Sequence, residues 1–188
     1  MTEKTLPSPA LQVLFVSKET SSSPLFGEIA KIGRTLENLG VPKSVPGIVS
    51  YDYGRRLVIT AKNIDVKQMN PADIVEIADY DPLKNIMLVI GIKEPSQEAP
   101  VHWIIQKARH DINILLELQS PSLLEKFQGI IPATKEVTRP GSLDRAKEFL
   151  RTLRTGKTIL IQNEGILFAG INMKEIEASL SSYLKEKP

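Results

Sequence analysis

Two hairpin patterns constrain the fold more than any other feature of this sequence. In the first, the β-rich runs 48–51 and 56–60 flank Asp52-Tyr53-Gly54-Arg55, in which aspartate and glycine supply turn chemistry. In the second, the runs 158–162 and 166–169 flank Asn163-Glu164-Gly165, and we expect the glycine to permit a positive φ in a tight turn. Because a short turn joins only antiparallel strands, both patterns predict a sheet that is at least partly antiparallel.

Helical patterns alternate with these strand patterns. Ser23-Pro24 predicts the start of a helix that ends at Gly40, Ser142 predicts the cap of a helix that ends at Gly156, and Asn172 predicts the cap of the last helix. Further runs predict a helix over 97–109 and strands over 11–16, 74–77, 86–90 and 112–118. Mixed strands and helices in 188 residues predict one α/β domain, 1–188, with residues 1–9 as a flexible lead-in.

Composition excludes several classes of protein. The chain has no cysteine, which rules out disulfides, zinc-thiolate sites and thiol catalysis, and its only imidazoles are those of His102 and His110. The 24 basic and 22 acidic residues are interspersed, so no nucleic-acid partner is indicated. No apolar run approaches the roughly 18 residues of a membrane span, and the start lacks a signal-peptide pattern. We therefore expect no membrane partner and a cytoplasmic location.

Three segments carry a resemblance to a known family. Residues 94–102 resemble the stretch Pro-Ser-Ser-Glu, apolar, Pro, Leu, His of the class II aldolase/adducin family. Residues 114–121 resemble its strand ending Val-Val-His-Thr-His-Ser-Pro, and residues 156–165 resemble its segment ending Arg-Asn-His-Gly. Residues 53–60 and 70–75 follow the same order. The resemblance runs from about residue 25 to about residue 184, and it implies a three-layer α/β domain with a central, largely antiparallel sheet flanked by helices.

The chain departs from the family at the metal site. In active members, the two histidines of the strand and the one of Asn-His-Gly hold a divalent metal, typically zinc, and these positions are Glu117, Gln119 and Glu164 here. Catalytic zinc is held mainly by imidazoles, so the resemblance implies that zinc is not bound. A rebuilt site would offer oxygen ligands to a hard cation such as magnesium or manganese.

The resemblance also places catalytic and substrate-binding positions. Glu98 corresponds to the family's general acid/base, a role that burial supports by lifting a carboxyl pKa toward neutral pH. Gly47 and Ser50 correspond to the phosphate-binding Gly-Asn-x-Ser turn, and Ser96 and Gln97 correspond to the paired serines. Only half of the polar groups of that phosphate pocket remain.

Each of these residues also has a structural interpretation. Glu98 opens a predicted helix, where a carboxylate can stabilise the helix dipole or cap the first turn. Glu117 and Gln119 stand at the end of a strand and Glu164 in a turn, where solvated side chains are common. His102 beside Trp103 is typical of a packing residue, and His110 of a solvent-facing helix end. Lys62, Asn63 and Lys67 are more typical of a solvated basic face than of an anion site. We predict that Glu98, Glu117, Gln119 and Glu164 converge on one cleft. The repulsion among the three glutamates would then require a cation, a neighbouring Lys or Arg, or protonation.

Three functional hypotheses follow. The first is a diverged family member that does not run the zinc-dependent aldol reaction and is inactive or acts by binding, with no cofactor. The second is a carbon-carbon lyase or epimerase acting on a small sugar phosphate, with Glu98 as acid/base. The third is a structural subunit of a hetero-oligomer. The resemblance implies a homotetramer as the assembly and a phosphorylated sugar as the ligand.

Overall fold

A mixed eight-stranded sheet forms the middle layer of the computed structural model, which describes residues 10–42 and 44–184. Its strands are β1 Gln12–Ser17, β2 Gly47–Tyr53, β3 Arg56–Thr60, β4 Ile74–Asp81, β5 Ile86–Ile90, β6 Ile114–Leu118, β7 Thr158–Ile161 and β8 Gly165–Gly170. Its helices are α1 Phe26–Asn38, α2 Ala99–Ala108, α3 Pro121–Phe127, α4 Leu143–Thr152 and α5 Met173–Leu184, with 3-10 turns at Pro71–Asp73 and Leu153–Thr155. The predicted lead-in, 1–9, lies outside the described residues.

The strand order is β1-β5-β4-β3-β2-β6-β8-β7, and only the β1–β5 pair is parallel. The predicted largely antiparallel sheet is therefore confirmed, and so are the hairpins β2–β3 and β7–β8. The helix α3 has no counterpart in the sequence predictions. Regular helix α1 begins at Phe26 rather than at Pro24, because the Ser23 hydroxyl accepts a hydrogen bond from the Leu25 N–H before the helix starts.

The prediction that Gly165 adopts a positive φ was wrong, although a glycine is required at this position for another reason. Positive φ in the β7–β8 turn falls on Asn163, at 64°, and not on the glycine. A Cβ at Gly165 would instead collide with the carbonyl oxygen of Leu118 at the end of β6. The absence of a side chain therefore lets the β7–β8 turn lie directly against the end of β6, which carries Glu117.

Helices cover both faces of the sheet. The first face packs α1, α3 and α5 against β2, β6 and β8, with Ile29, Leu116 and Phe168 in the shared core. The opposite face packs α2 and α4 against the sheet through Ile105, Phe149 and related apolar side chains. The predicted three layers are confirmed, and the turn of β7–β8 meets the starts of α2 and α4 at the end of β6.

Among residues 10–42 and 44–184, no helix is long and apolar enough to cross a membrane.

Candidate functional site

A buried arginine forms the centre of the candidate site. The Ser142 hydroxyl accepts a hydrogen bond from the N–H of Arg145 at 3.1 Å and so caps α4, as the sequence predicts. Arg145 then lies on the inward face of α4, with its guanidinium carbon 4.9 Å from the centroid of the Phe149 ring. The side chain of Arg145 is only 1% exposed. A charge buried this deeply requires partners, since an isolated one would cost many kcal/mol.

Three carboxylates supply those partners. Nε of Arg145 lies 3.0 Å from Oε2 of Glu98, and Nη2 lies 3.6 Å from Oε1 of Glu117. Nη1 donates to Oε1 of Glu164 at 2.7 Å, and Nη2 donates to the other oxygen of the same carboxylate, which makes the Arg145–Glu164 pair bidentate. Nη1 also donates to the carbonyl of Thr138 at 3.3 Å. The structure thus brings together three residues that the resemblance had singled out.

Glu98 is nearly completely buried at the start of α2. Its side chain makes no capping hydrogen bond to the helix, so the capping interpretation is not what the structure shows. Burial above all, and then the charge of Glu117, raise its pKa to about 8, although Arg145 and a hydrogen bond from the Gly141 N–H act in the opposite direction. Glu98 is therefore mostly protonated at neutral pH.

Gly141 brings the chain close to Glu98. Its φ of +70° lies in the left-handed region that favours glycine, and an added Cβ would lie 2.6 Å from the carbonyl oxygen of Gln97. Because that approach is so close, the N–H of Gly141 reaches Oε2 of Glu98 at 3.4 Å.

A second chain of polar groups starts from Glu117, which is fully buried. Oε2 of Glu117 lies 3.8 Å from Nε2 of His102, too far for a hydrogen bond, and in the described part of the chain neither Glu117 oxygen has a hydrogen-bond partner. Nδ1 of His102 lies 2.7 Å from Oγ of Ser50, and that hydroxyl is also 3.4 Å from Oε1 of Gln106. Ser50, His102 and Gln106 are all buried.

His102 is a site residue that the sequence interpretation missed. The sequence predicts a packing residue at this position, but its Nε2 lies 3.8 Å from Oε2 of Glu117, which matches one of the family's metal-ligand positions. The available signal was the spacing from Glu98 to His102, because residues four apart lie on one helix face. His110 is exposed, just beyond the end of α2.

Arg145 was also missed. It stands beside Ala146 and one turn before Phe149, so helical periodicity places it on the buried face of α4. A charged residue on a buried helix face is the signal that could have identified it.

A small cleft of about 200 Å³ opens beside the cluster. Gly47, Ser96, Gln97 and Gln119 line it together with Glu98. The cleft walls also include Lys62 and Asn63, whereas Lys67 donates instead to the carbonyls of Pro42 and Val45. Ser50 does not line the cleft. Of the predicted substrate-binding residues, the structure therefore places three at one opening and the fourth behind it, against His102.

A larger hollow of about 520 Å³ lies between the end of α1 and α3. None of the predicted site residues lines it. Glu98 lines the smaller cleft and connects it to the Arg145 cluster behind it, and we take this cleft as the candidate site.

The arrangement does not fit a zinc ion. Of the three positions that would hold it, Glu117 and Glu164 face the Arg145 guanidinium, and Gln119 is exposed on the cleft wall. Across residues 10–42 and 44–184, no group of three or more His, Cys, Asp or Glu side chains is arranged to hold a metal ion. A dication at this position would lie beside the guanidinium and would have to displace it from Glu164.

Comparison with known proteins places the chain in a family. The family described as Class II Aldolase and Adducin N-terminal domain matches residues 27–124, which is just over half of the chain. A comparison with curated proteins gives no match.

Similar solved structures share the fold. An L-fuculose 1-phosphate aldolase superposes with a TM-score of 0.66 at 20% identity, over 87% of this chain and 86% of that one. YgbL from Escherichia coli, a putative aldolase/epimerase/decarboxylase, gives 0.65 at 15% identity over 83% of both chains. A sugar-phosphate aldolase from Thermotoga maritima gives 0.62 at 17% identity, over 88% of this chain and 99% of that one. The matched segment and the shared three-layer fold lead to one conclusion: this chain belongs to the class II aldolase/adducin family.

Proposed function

We propose that this chain is a family member that does not run the zinc-dependent aldol reaction, and that the guanidinium of Arg145 stands where such a reaction needs a metal ion. The observation that carries the proposal is the contact of Arg145 with both Glu117 and Glu164, two of the three positions matching the family's metal ligands.

The guanidinium pairs with the carboxylates but cannot replace the metal's chemistry. A catalytic metal polarises a substrate carbonyl through an open coordination position. Arg145 is buried, its Nη groups donate to Glu164 and Thr138, and its Nε lies 3.0 Å from Glu98, so carboxyl and carbonyl oxygens surround the guanidinium and leave little room for a substrate. The proposed role is therefore binding at the adjacent cleft, by a cytoplasmic homo-oligomer, most simply a tetramer, without a cofactor.

The ligand class that suits the cleft is a small phosphorylated sugar. Backbone amides near Gly47, the Ser96 hydroxyl and the side chains of Gln97, Lys62 and Asn63 offer donors at one opening. The sugar-phosphate specificity in the names of similar structures belongs to those proteins, and it motivates the choice of ligand here.

An assay of aldol cleavage tests the proposal. L-fuculose 1-phosphate is incubated with the purified chain, with and without added zinc, and with the structurally similar L-fuculose 1-phosphate aldolase as the positive control. We expect no cleavage above the protein-free blank in either condition. Zinc-stimulated cleavage that Glu117→Gln abolishes would contradict the proposal.

One observation favours a second candidate, a lyase or epimerase with Glu98 as acid/base. Glu98 borders the cleft and has a pKa of about 8, which suits a group that exchanges a proton near neutral pH. Magnesium or manganese would be the cation for this version. The test is exchange of deuterium from solvent into the carbon beside the carbonyl of a sugar phosphate, followed by NMR with either cation present. Exchange that Glu98→Gln abolishes would favour this candidate, whereas no exchange would reject it.

A further inference from the structure

The strand β1 leaves an open edge on the sheet. Among residues 10–42 and 44–184 it pairs only with β5, and it precedes the segment 27–124 that matches the family. The N–H of Gln12 donates to the carbonyl of Asn85, so Gln12 directs its backbone toward β5. Alternate residues of a strand turn their backbone groups to opposite sides, and the N–H and C=O groups of Val13 and Phe15 therefore point outward.

The side chains of β1 are apolar on both faces. Val13 and Phe15 pack onto the core below β5, whereas Leu14 is 49% exposed and Val16 is 62% exposed on the other face. Leu14 lies beside the half-buried Leu88 of β5, so the exposed apolar strip continues onto the neighbouring strand. Exposed edge strands usually carry charges or prolines that prevent pairing with other chains, and residues 10–17 contain neither.

The opposite edge of the sheet is closed. At β7, the N–H of Leu160 donates to the carbonyl of Pro132 at 2.8 Å, and the N–H of Thr134 donates to the carbonyl of Leu160 at 2.9 Å. The segment around these two residues therefore covers the β7 edge, as proteins commonly do to block pairing there. In the described chain, β1 has no such cover.

We propose that β1 pairs antiparallel with β1 of a second copy of this chain, about a two-fold axis at Leu14. In this register Val13 of each copy faces Phe15 of the other, and these are the residues with outward backbone groups. Leu14, which is 49% exposed, faces Leu14 across the axis, so the pairing buries this side chain in both copies. Lys18 faces the uncharged Ala10, so no like charges meet.

A second copy suits this edge better than an unrelated strand. The two-fold register pairs the outward donors and acceptors of Val13 with those of Phe15 and places apolar side chains opposite each other at the three central positions, with Gln12 facing Val16 beyond them. Both strands are then supplied by the same chain, so each is present at the concentration of its partner. This inference concerns the edge far from the Arg145 cluster, and its test is independent of the metal and aldol experiments.

Disulfide trapping tests the register directly, because the natural chain has no cysteine. Leu14→Cys in the full chain would place two thiols at a non-hydrogen-bonded antiparallel pair, with Cα atoms about 4.5 Å apart, within the range that a disulfide spans. The matched control is Leu83→Cys, because Leu83 is 88% exposed in the turn between β4 and β5. Under mild oxidation we expect a covalent dimer of Leu14→Cys on a non-reducing gel, formed at least ~10-fold faster than that of Leu83→Cys.

Light scattering of the unmodified chain and of the double variant Leu14→Lys/Val16→Lys gives the second readout. We expect the unmodified chain to have at least twice the 20.9 kDa monomer mass at micromolar concentration, and the double variant to have half the mass of the unmodified chain with an unchanged circular dichroism spectrum. A monomeric unmodified chain, or equal crosslinking of the two cysteine variants, would overturn the proposal.

Discussion

At the residue scale, the carboxyl groups of the Arg145 cluster are not equally well satisfied. Glu98 is mostly protonated at neutral pH, and Glu117 and Glu164 face a single guanidinium. Glu164 holds the bidentate pair, whereas Glu117 lies at 3.6 Å without a hydrogen bond. Glu117 is therefore the carboxyl group that the guanidinium stabilises least.

Removing the carboxylate of Glu117 should not weaken the fold. We expect Glu117→Gln to leave the free energy of unfolding unchanged or to raise it by about 1 kcal/mol, because a buried like charge disappears and no hydrogen bond is lost. Glu164→Gln is the matched comparison, and it should lower the free energy of unfolding by about 2 kcal/mol because it breaks the charged pair with Arg145. Urea denaturation at pH 7 measures both. A larger loss for Glu117→Gln than for Glu164→Gln would contradict this assignment.

The raised pKa of Glu98 predicts a pH dependence of stability. Its folded pKa of about 8 exceeds the ordinary value of 4.5, so between these values the folded state binds a proton that the unfolded state does not. The stabilising contribution is complete below pH 4.5 and is lost as the pH rises through 8. Glu98→Gln should flatten this part of the stability curve, as measured by denaturation at several pH values.

Carboxyl NMR of 13C-labelled glutamate checks the same group directly. The Glu98 resonance should titrate near pH 8, and Glu117→Gln should lower that midpoint because the Glu117 charge raises the Glu98 pKa. A midpoint below about 5 in the unmodified chain would show an ordinary carboxyl and would rule out this account of Glu98.

Arg145 should have the largest effect on stability. Arg145→Met keeps much of the side-chain volume but leaves buried carboxylates without a cation, so we expect a loss of about 3–5 kcal/mol at pH 7 that becomes smaller in acid. Arg154→Met, at an exposed position just after α4, is the control and should change stability by less than about 0.5 kcal/mol. Equal effects of the two substitutions in urea denaturation would contradict a central role of Arg145.

At the scale of elements, features set by neighbouring residues could be predicted from the sequence, whereas contacts between distant segments could not. The caps at Ser142 and Asn172 and the two hairpins could be predicted because each depends on a few neighbouring residues. The pairing of Arg145 with Glu164 could not, because periodicity assigns a residue to a helix face without naming what lies opposite. His102 was missed for the same reason, although its spacing from Glu98 was visible.

The loop before α4 gives a test at this scale. Gly141 and Gly129 both have positive φ, +70° and +80°, but only at Gly141 would an added Cβ meet backbone, the Gln97 carbonyl oxygen at 2.6 Å. Each alanine substitution should carry a backbone strain of about 1 kcal/mol, and Gly141→Ala should cost about 1–2 kcal/mol more than Gly129→Ala because the loop must move away from α2. Thermal denaturation compares them. Equal costs would show that the loop does not pack tightly beside Glu98.

At the scale of the whole molecule, the resemblance predicted the three-layer fold, and the match to residues 27–124 together with the similar structures confirms it. The strand β1 could be predicted from its apolar run, but the order of the strands and the parallel pairing of β1 with β5 could not, because both depend on contacts distant in sequence. The prediction that Glu98, Glu117, Gln119 and Glu164 converge on one cleft depended on the family's order of segments. The structure brings the three glutamates to Arg145, whereas only Glu98 and Gln119 line the cleft. The cation that they share comes from α4, which the family motifs do not include.

The metal content of the unmodified chain, purified without chelator, tests the central claim most directly. If Arg145 occupies the position of the metal ion, elemental analysis by mass spectrometry should find little metal in the protein after exchange into metal-free buffer. Zinc, magnesium and manganese should each be well below one equivalent per chain. That result follows because Glu117 and Glu164 already share the guanidinium and no imidazole stands at the three matched positions. One equivalent of zinc in the unmodified chain, together with a lower zinc content in Glu117→Gln and Glu164→Gln, would contradict the account.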